Sequence, residues 1–428
     1  MKKNYLLGFA LLICLFQLSS CGKKEEVIVK DASGVVVRRP LIWAAPISDD
    51  GQICATHFVT KDISSDNDIL VGARKSSQKI ARMLNLSNGS TKWEWSDFIE
   101  QKDYFNIKSP CYQDNDLIWQ ADYWNYRIDL SNGKTKWKNA FLQNNGTQAV
   151  DLKDNYACYT NYNKDGTILS DSGGIVTFIS KSDGRALSKI KPRYDTTGML
   201  PFRESGRLGF IGFINPWSYQ GDSMIVVSYG DPPLKGWLFR EYIGLYNYTK
   251  QKWIYDKILL KEPAQWGTYS LPEINNDKVY HAAGNQVICH DILTGEKKWQ
   301  TSVPNQSFIF SKLFAVNNRL YANSDDGYLN CLDLEYGNVV WKIRSSGSSS
   351  KLSYLNGVIY FVGGGDGKLH AVDATTGNYI WKIDSPDIGK NKWAAFTGLC
   401  AVIPGKGGAK GKVVVLTGLN AYCYEAER

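Results

Sequence analysis

The stretch "DATTGNYIW" at residues 373–381 sets Asp, Gly and Trp four residues apart, and this spacing recurs along the chain. Residues 129–137 read "DLSNGKTKW", residues 291–299 read "DILTGEKKW" and residues 333–341 read "DLEYGNVVW". Looser copies are "NLSNGSTKW" at 85–93, "SKSDGRALS" at 180–188 and "LYNYTKQKW" at 245–253. Successive copies end 40 to 65 residues apart. Such a period, with strand-like residues between the copies, predicts the blades of a β-propeller.

The residues between the copies predict strands and tight turns. Residues 356–383 read "NGVIYFVGGGDGKLHAVDATTGNYIWKI", which is three β-type runs separated by two Gly-rich turns. Gly377 occupies a place where a short hairpin needs positive φ. Asp373 is expected to accept hydrogen bonds from the turn that it opens. The chain therefore predicts an all-β fold of four-stranded antiparallel blades.

A tryptophan at the start of each outer strand is expected to wedge against the next blade. Burial of each indole would contribute about 2–3 kcal/mol. Because these tryptophans belong to different blades, a single ligand could not stack on all of them, which favours a structural role. The predicted blade-docking residues are Trp43, Trp93, Trp137, Trp253, Trp299, Trp341 and Trp381.

The two ends of the sequence predict how the ring closes. The C-terminal run "GLNAYCYEAER" aligns with "KLHAVDATTGN" and stops before a Trp position. The run "RRPLIWAAPI" at residues 38–47 resembles "GNYIWKIDSP" and supplies Trp43. We therefore expect the N-terminal strand to pair with the C-terminal blade, which gives an eight-bladed propeller over residues 36–428.

The first residues resemble a bacterial lipoprotein leader. Lys2 and Lys3 precede an apolar run that ends in "LSSC" at residues 18–21, which resembles a lipobox. The resemblance implies a signal peptide over 1–20, acylation of Cys21 and a tether over 21–35. Two or more acyl chains give stable membrane anchoring. Gly22 after the Cys favours the outer membrane, and "KKEE" at 23–26 leaves periplasmic and surface exposure both open.

The bulk composition limits the classes of partner. The net charge is +8 and the basic residues are scattered, which argues against a nucleic-acid surface. The nine Cys include no C-x-x-C pair, so a disulfide framework is not indicated. We expect a monomeric propeller that meets the membrane through its lipid anchor.

Propeller blades that end in D-x-x-x-G-x-x-x-W resemble the quinoprotein-like (PQQ-like) repeat superfamily. One of its branches is the quinone- and Ca²⁺-dependent dehydrogenases, and another is the non-enzymatic lipoprotein of the outer-membrane barrel assembly machinery. The dehydrogenase branch carries adjacent Cys and often C-x-x-C-H, and this sequence has neither. Its four His are dispersed, at His57, His281, His290 and His370. We therefore expect no enzyme activity, no cofactor, no metal and no catalytic residue.

The resemblance also places a candidate partner contact. The segment "MLPFRES" at 199–205 loosely matches a Leu-x-Leu-Arg segment of the assembly lipoproteins through Leu200 and Arg203, but the acidic pair of that family is missing. The long interval after residue 188 adds Trp217 and Trp237 in loop-like sequence. These aromatic residues either cover the ring or bind a protein or glycan. The leading hypothesis is a scaffold for an envelope protein, with barrel assembly as its main case and glycan binding as the alternative.

Overall fold

The structure is a computed structural model. It describes residues 26–30, 36–49, 59–60, 67–76, 78–97, 111–113, 115–121, 124–139, 149–161, 174–195, 197, 209–232, 234, 238–264, 272–302, 310–347, 350–389 and 395–428. The 33 elements of this part are all β-strands, arranged in eight antiparallel sheets. A search of the same residues finds no helix with the length and hydropathy to span a bilayer.

Seven of the sheets are blades made of four consecutive strands. Blade 1 consists of β3 (Val59–Thr60), β4 (Asp68–Lys75), β5 (Gln78–Asn85) and β6 (Thr91–Trp95). Blade 2 consists of β7 (Cys111–Gln113), β8 (Asp116–Ala121), β9 (Trp124–Asp129) and β10 (Thr135–Asn139). Blade 3 consists of β11 (Ala149–Asp151), β12 (Asn155–Thr160), β13 (Ile175–Ser180) and β14 (Ala186–Ile190). Blade 4 consists of β15 (Phe210–Tyr219), β16 (Asp222–Gly230), β17 (Phe239–Asn247) and β18 (Lys252–Ala264).

The next three blades have the same order. Blade 5 consists of β19 (Glu273–Asn275), β20 (Lys278–Ala283), β21 (Gln286–Asp291) and β22 (Lys297–Ser302). Blade 6 consists of β23 (Phe310–Val316), β24 (Arg319–Ser324), β25 (Tyr328–Asp333) and β26 (Val339–Arg344). Blade 7 consists of β27 (Ser353–Leu355), β28 (Val358–Val362), β29 (Leu369–Asp373) and β30 (Tyr379–Ile383).

Blade 8 joins the two ends of the chain. It contains β31 (Thr397–Ile403), β32 (Lys412–Leu416) and β33 (Asn420–Glu425) from the C-terminal side, and β2 (Val36–Pro46) and β1 (Glu26–Lys30) from the N-terminal side. Trp43 pairs with Cys423 across the closing strands. The predicted eight-bladed ring and its closure are confirmed. The closing blade differs in having five strands, because β1, within the segment expected to be a tether, pairs with β2.

The antiparallel order gives the ring two distinct faces. We call the side with the first–second and third–fourth hairpin turns the turn face. The opposite side, with the second–third turns and the links between blades, is the connection face. The first strands of neighbouring blades contact one another, as β3 does with β31 and β19 does with β23, so they form the inner ring. The fourth strands therefore lie on the outer rim.

The hydrophobic core lies between the blades. One buried cluster joins Trp43, Val414 and Cys423 of blade 8 to Ile69 and Leu84 of blade 1. Another joins β20 and β21 of blade 5 to β24 of blade 6. Each sheet is thus apolar on both surfaces, and its burial depends on its neighbours.

The repeated Trp lies on the turn Gly of the following blade. A Cβ at Gly89 would come 2.7 Å from Trp43 Cε3, and one at Gly377 would come 2.7 Å from Trp341 Cδ2. Both glycines also have positive φ, +74° and +77°. The indole Nε1–H then donates to a carbonyl of the same turn, as from Trp43 to Leu86 O at 2.8 Å. Equivalent hydrogen bonds join Trp93 to Leu130, Trp137 to Lys181, Trp299 to Leu334 and Trp341 to Ala374.

The Asp of the repeat holds the turn in its docking shape. Asp373 Oδ1 accepts the backbone N–H groups of Thr375 and Thr376, both at 3.0 Å. Asp333 does the same for Glu335 and Tyr336. The side chain thereby presents the carbonyl and the bare Gly to the incoming indole.

Blade 4 corrects one of the predicted docking residues. Trp253 pairs with Tyr246 and lies against Gly244 of its own blade. Tyr255 takes the docking position instead and donates its hydroxyl to Ile292 O at 2.9 Å. The reason is the starting point of the repeat: Leu245 pairs with Tyr255 as Cys331 pairs with Trp341 in blade 6. The copy in blade 4 therefore begins at Asn247 and has Gln251, with a φ of +50°, at the Gly position. Blade 3 carries Ser188 at this position, paired with Phe178.

Blade 8 has no Asp-to-Gly turn for Trp381, because the chain ends meet there. Trp381 Nε1 instead donates to Glu427 Oε2 at 3.2 Å. The Arg39 guanidinium lies 4.9 Å from the centre of the Trp381 ring and forms an ion pair with Glu427. A cation and a carboxylate from the two ends of the chain thus replace the missing turn.

Candidate interaction surface

Trp217 is the only one of the four predicted contact residues within the described part of the chain. It lies near the end of β15 on the turn face, and its ring stacks on Tyr219 at 5.4 Å with an interplanar angle of 17°. Trp217 Nε1 donates to Asn276 O of blade 5 at 3.2 Å. Tyr219 remains 37% exposed. The pair therefore has one ring anchored between blades and one ring open to solvent.

Leu200, Arg203 and Trp237 lie outside the described residues, so their role stays a prediction. The strand ends that flank them are described. Phe210 at the start of β15 pairs with Gly230 at the end of β16, and both ends lie on the connection face. Trp217 lies at the other end of β15, on the turn face. Trp217 therefore lies on the face opposite to the strand ends that connect, along the chain, to Leu200, Arg203 and Trp237.

An ionic and aromatic cluster ties the connection-face ends of blade 4 together. Asp231 is fully buried and accepts the Asp195 N–H at 2.8 Å. Its carboxylate lies 3.5 Å from Lys257 Nζ, and Lys257 lies 4.4 Å from the centre of the Tyr242 ring. Arg240 binds Asp195 at 3.0 Å. The sequence analysis missed this cluster, because its members are distant in sequence and carry no motif.

His370 belongs to a structural lock between blades 6 and 7. Its Nε2 lies 3.0 Å from Asp366 Oδ1 and its Nδ1 lies 3.0 Å from the Tyr379 hydroxyl. That hydroxyl donates its hydrogen to Arg344 O at 2.6 Å, so the Nδ1 contact requires an N–H on the ring. Ser346 Oγ also donates to Asp366, at 2.8 Å. Every polar atom of the lock is used in holding the blades together.

Asp366 is ionised within this lock. Burial alone would raise the pKa of its carboxyl, but the hydrogen bond and charge of His370 lower it to about 2. The Lys368 N–H and the Ser346 hydroxyl add to this effect. The arrangement resembles a catalytic Ser–His–Asp set only in composition, because Ser346 binds the carboxylate and no base activates it.

His281 and His290 form a buried pair between blades 5 and 4. Their ring centres lie 5.9 Å apart, and they are 0% and 1% exposed. Within the described residues, His281 has no hydrogen-bond partner at either nitrogen, nor has His290 at Nδ1. Burial lowers the pKa of His281 well below its usual range and that of His290 to about 4. Both rings are therefore neutral near pH 7.

Four of the buried thiols are hard to ionise. Burial raises the pKa of Cys289, Cys331, Cys400 and Cys423 to about 12 in each case. Cys289 and Cys331 lie opposite Trp299 and Trp341 in their hairpins, where a small side chain leaves room for the indole. These cysteines are packing residues.

Two ligand features of the dehydrogenase branch, a Ca²⁺ site and an adjacent Cys pair, can be compared with this chain. No group of three or more His, Cys, Asp or Glu that could hold a metal occurs among the described residues. The sequence has no adjacent Cys pair to face a quinone.

The comparisons with known proteins agree with this geometry at the level of the fold. Residues 250–404 match the family model described as outer membrane protein assembly factor BamB. That segment covers blades 5 to 7, where the Asp–Gly–Trp repeat is most regular. No curated protein sequence matches the chain. The resemblance to PQQ-like repeat propellers is thus confirmed.

Solved structures from both branches share the ring. BamB from Moraxella catarrhalis aligns with a TM-score of 0.59 at 12% identity, covering 91% of this chain and 100% of that one. Quinohemoprotein alcohol dehydrogenase from Comamonas testosteroni aligns with a TM-score of 0.64 at 12% identity, covering 90% and 76%. A europium-containing methanol dehydrogenase aligns with a TM-score of 0.60 at 13% identity, covering 91% and 93%. The class of protein that the fold defines is an eight-bladed β-propeller. The matched segment, residues 250–404, is similar to the BamB family.

Proposed function

We propose that this protein is a non-enzymatic, lipid-anchored scaffold that binds other proteins in a bacterial cell envelope, with outer-membrane protein assembly as its main role. The observation that carries the proposal is the use of the repeated residues. The Trp, Asp and Gly of the repeat and the His370 lock serve contacts between blades. What remains for function is the outer surface of a rigid ring, which suits protein binding.

The match of residues 250–404 to the BamB family model supports the same reading. BamB is described as an outer membrane protein assembly factor, and we extend that role to this chain as a proposal.

Crosslinking in native envelopes tests this role, with Arg203→Glu and Trp237→Ala compared with wild type. Recovery of a barrel-folding protein that the variants lose is the expected result. Arg185→Glu on the turn face of blade 3 serves as a control and should retain the partner. Identical capture in all samples would contradict the predicted contact residues.

The lipid anchor has a direct test with a matched control. Cys21→Ala should abolish acyl labelling and release the protein from membranes, because the acylated thiol is removed. Cys14→Ala changes another leader thiol and should leave labelling intact. Acyl labelling that persists in the Cys21 variant would show that the lipobox interpretation is wrong.

The absence of enzyme activity is also part of the proposal. Purified protein mixed with pyrroloquinoline quinone and Ca²⁺ should retain no quinone absorbance after desalting. Dye-linked oxidation of alcohols and sugars should stay at background. Stoichiometric quinone retention would overturn this part and move the protein to the dehydrogenase branch.

Glycan binding is a second candidate, favoured by the stacked Trp217 and Tyr219 pair with its exposed ring. Flat aromatic rings suit stacking against the apolar face of a sugar. A panel of soluble polysaccharides, compared between wild type and Tyr219→Ala, distinguishes this function from the scaffold. Binding that the variant loses would support it, and no binding across the panel would leave the scaffold as the function.

A further inference from the structure

The outer rim of blade 6 carries apolar residues at three positions that are polar in blades 1, 2 and 5. The positions compared are the residue before the turn Gly and the second and third residues after it. Blades 1, 2 and 5 carry Asn88, Thr91 and Lys92, then Asn132, Thr135 and Lys136, then Thr294, Lys297 and Lys298. Blade 6 carries Tyr336, Val339 and Val340 at the same positions. Blade 3 has apolar Ala186 and Leu187 after its Gly but the charged Asp183 before it, so blade 6 differs in being apolar at all three positions.

These three side chains, which we call the blade 6 patch, are open to solvent. Tyr336 is 65% exposed, Val339 49% and Val340 44%. A single exposed apolar residue is ordinary, but three in one turn and the adjoining strand concentrate apolar surface at this part of the rim. The fold does not require them, since Trp341 docks on Gly377 and polar residues serve equally well in blade 2.

Blade 7 has similar residues but covers them. Tyr379 and Ile380 occupy the positions that correspond to Val339 and Val340. The Tyr379 hydroxyl is bound to Arg344 O and His370, and Ile380 packs against the core cluster that contains Leu41. The added strand β1 contacts β30 of this blade. Within the described chain, apolar residues on the rim of blade 7 are covered and those of blade 6 are not.

The charged residues next to the blade 6 patch indicate what kind of partner segment could cover it. β26 is the outermost strand of its sheet, so one edge is open to strand pairing. Val340, Lys342 and Arg344 alternate along its exposed side. Both cations lie over the Tyr328 ring, at 4.0 and 5.6 Å, and neither forms an ion pair in the described part of the chain. A second copy of the same strand would set these cations close together, which disfavours a homodimer through this edge.

We propose that the edge of β26 and the blade 6 patch bind an extended segment of a partner protein that carries acidic residues at alternate positions followed by an apolar residue. In antiparallel pairing the acids lie opposite Arg344 and Lys342, and the apolar residue lies opposite Val340. The Tyr336 ring then covers the end of the added strand. The surface deepens the proposed scaffold function by assigning its partner site, and it rests on that function.

A designed peptide tests the proposal on purified protein. The probe is a short labelled peptide with Glu-Thr-Glu-Thr-Val at its centre, and the control probe carries Lys in place of Glu. Binding of the acidic probe alone is expected. Val340→Asp should weaken it about fivefold or more, because the substitution removes an apolar cross-strand pair that contributes about 0.2–1 kcal/mol and places a negative charge beside the acidic probe.

Charge reversal provides the sharper result. Lys342→Glu should weaken the acidic probe and strengthen the Lys probe. Ile254→Lys changes an exposed residue on the outer strand of blade 4 and should leave both affinities unchanged. No binding of the acidic probe, or equal binding by the Val340 and Ile254 variants, would overturn the proposal.

An experiment in envelopes separates this site from the general scaffold function. The variant Tyr336→Ser, Val339→Thr, Val340→Thr makes the patch polar without adding a charge and should melt like wild type. Loss of the crosslinked envelope partner from this variant supports the assignment. Retention of the partner would remove the blade 6 patch from the function while the scaffold itself stands. Absence of any partner in wild type would instead contradict the proposed scaffold function.

Discussion

The seam between blades 6 and 7 and the seam between blades 4 and 5 solve one packing problem in two ways. In the first, Trp341 lies on Gly377 and donates to Ala374 O. In the second, Tyr255 and Ile258 face Gly295, and the Tyr255 hydroxyl donates to Ile292 O. The receiving turn is the same in both. The comparison teaches that the bare Gly and its nearby carbonyl define the docking site, while the aromatic residue can change.

The two seams also differ in polarity. The 6–7 seam carries the His370 lock, in which each ring nitrogen has a partner. The 4–5 seam carries His281 and His290, with ring nitrogens that have no hydrogen-bond partner in the described part of the chain. A buried polar group without a partner is costly, and a buried unpaired charge is more so. We therefore expect the 4–5 seam to be the more sensitive to pH.

Removing the closing strand should have the largest effect on either seam. A chain that begins at residue 48 lacks β2 and leaves the edge of β33 unpaired, so we expect loss of cooperative unfolding of the whole ring. Thermal unfolding followed by circular dichroism is the measurement. A chain that begins at residue 36 lacks only β1 and should unfold cooperatively. Unchanged melting of the shorter chain would contradict closure by Trp43.

The Gly at the docking site provides the next largest effect. Gly377→Ala should lower the free energy of unfolding by about 3 kcal/mol, from left-handed backbone strain together with overpacking against Trp341. Gly221 has φ of +84° with open space around it, so Gly221→Ala should cost only the strain, about 1–2 kcal/mol. Denaturant unfolding measures both. Equal losses would show that the indole contact contributes nothing beyond backbone conformation.

Acid should loosen the 4–5 seam. The folded-state pKa of His290 is about 4, below its unfolded value near 6.5, so the unfolded chain binds more protons between these limits. The stability from the neutral ring is complete above about pH 6.5 and is lost as the pH falls. At pH 5 the loss from His290 is about 2 kcal/mol, and His281 adds to it.

Replacing the pair tests this acid sensitivity. The double variant His281→Leu, His290→Leu should show a flatter decline in melting temperature between pH 7 and pH 5 than wild type. Its melting temperature at pH 7.5 controls for changes in packing. An identical pH dependence in the two proteins would show that the seam does not control acid stability.

The smallest effect concerns the substituted docking residue. Tyr255→Phe should lower the free energy of unfolding by about 1 kcal/mol, because the Ile292 carbonyl loses its hydrogen bond. Tyr336→Phe removes a hydroxyl from an exposed ring and should leave stability unchanged. Denaturant titration compares the two. A neutral Tyr255→Phe variant would indicate that ring packing alone holds this seam.

The candidate site was less predictable than the fold. Trp217 could be recognised as an unusual aromatic residue, but its position on the turn face depends on the register of β15 with β16. The cluster around Asp231 unites residues from distant strands and has no sequence signal. The blade 6 patch could have been found by comparing Tyr336, Val339 and Val340 with the copies in blades 1, 2 and 5, which carry polar residues at all three positions.

The sequence by itself determined the ring. The spacing of Asp, Gly and Trp sets the length of each blade and its turns, and the Trp marks the side that packs against the next blade. It also determined closure, since the C-terminal blade lacks one strand and the N-terminal segment has one to offer. Only the tertiary structure decided which aromatic docks in blade 4, because the pairing of Leu245 with Tyr255 shows that the Gly-free copy of the repeat begins two residues later than the sequence suggested. It also decided what replaces the missing turn beside Trp381, since Arg39 and Glu427 meet only when the two ends pair. Local residue patterns set turns and strands, whereas contacts between distant residues depend on how the strands are placed in space.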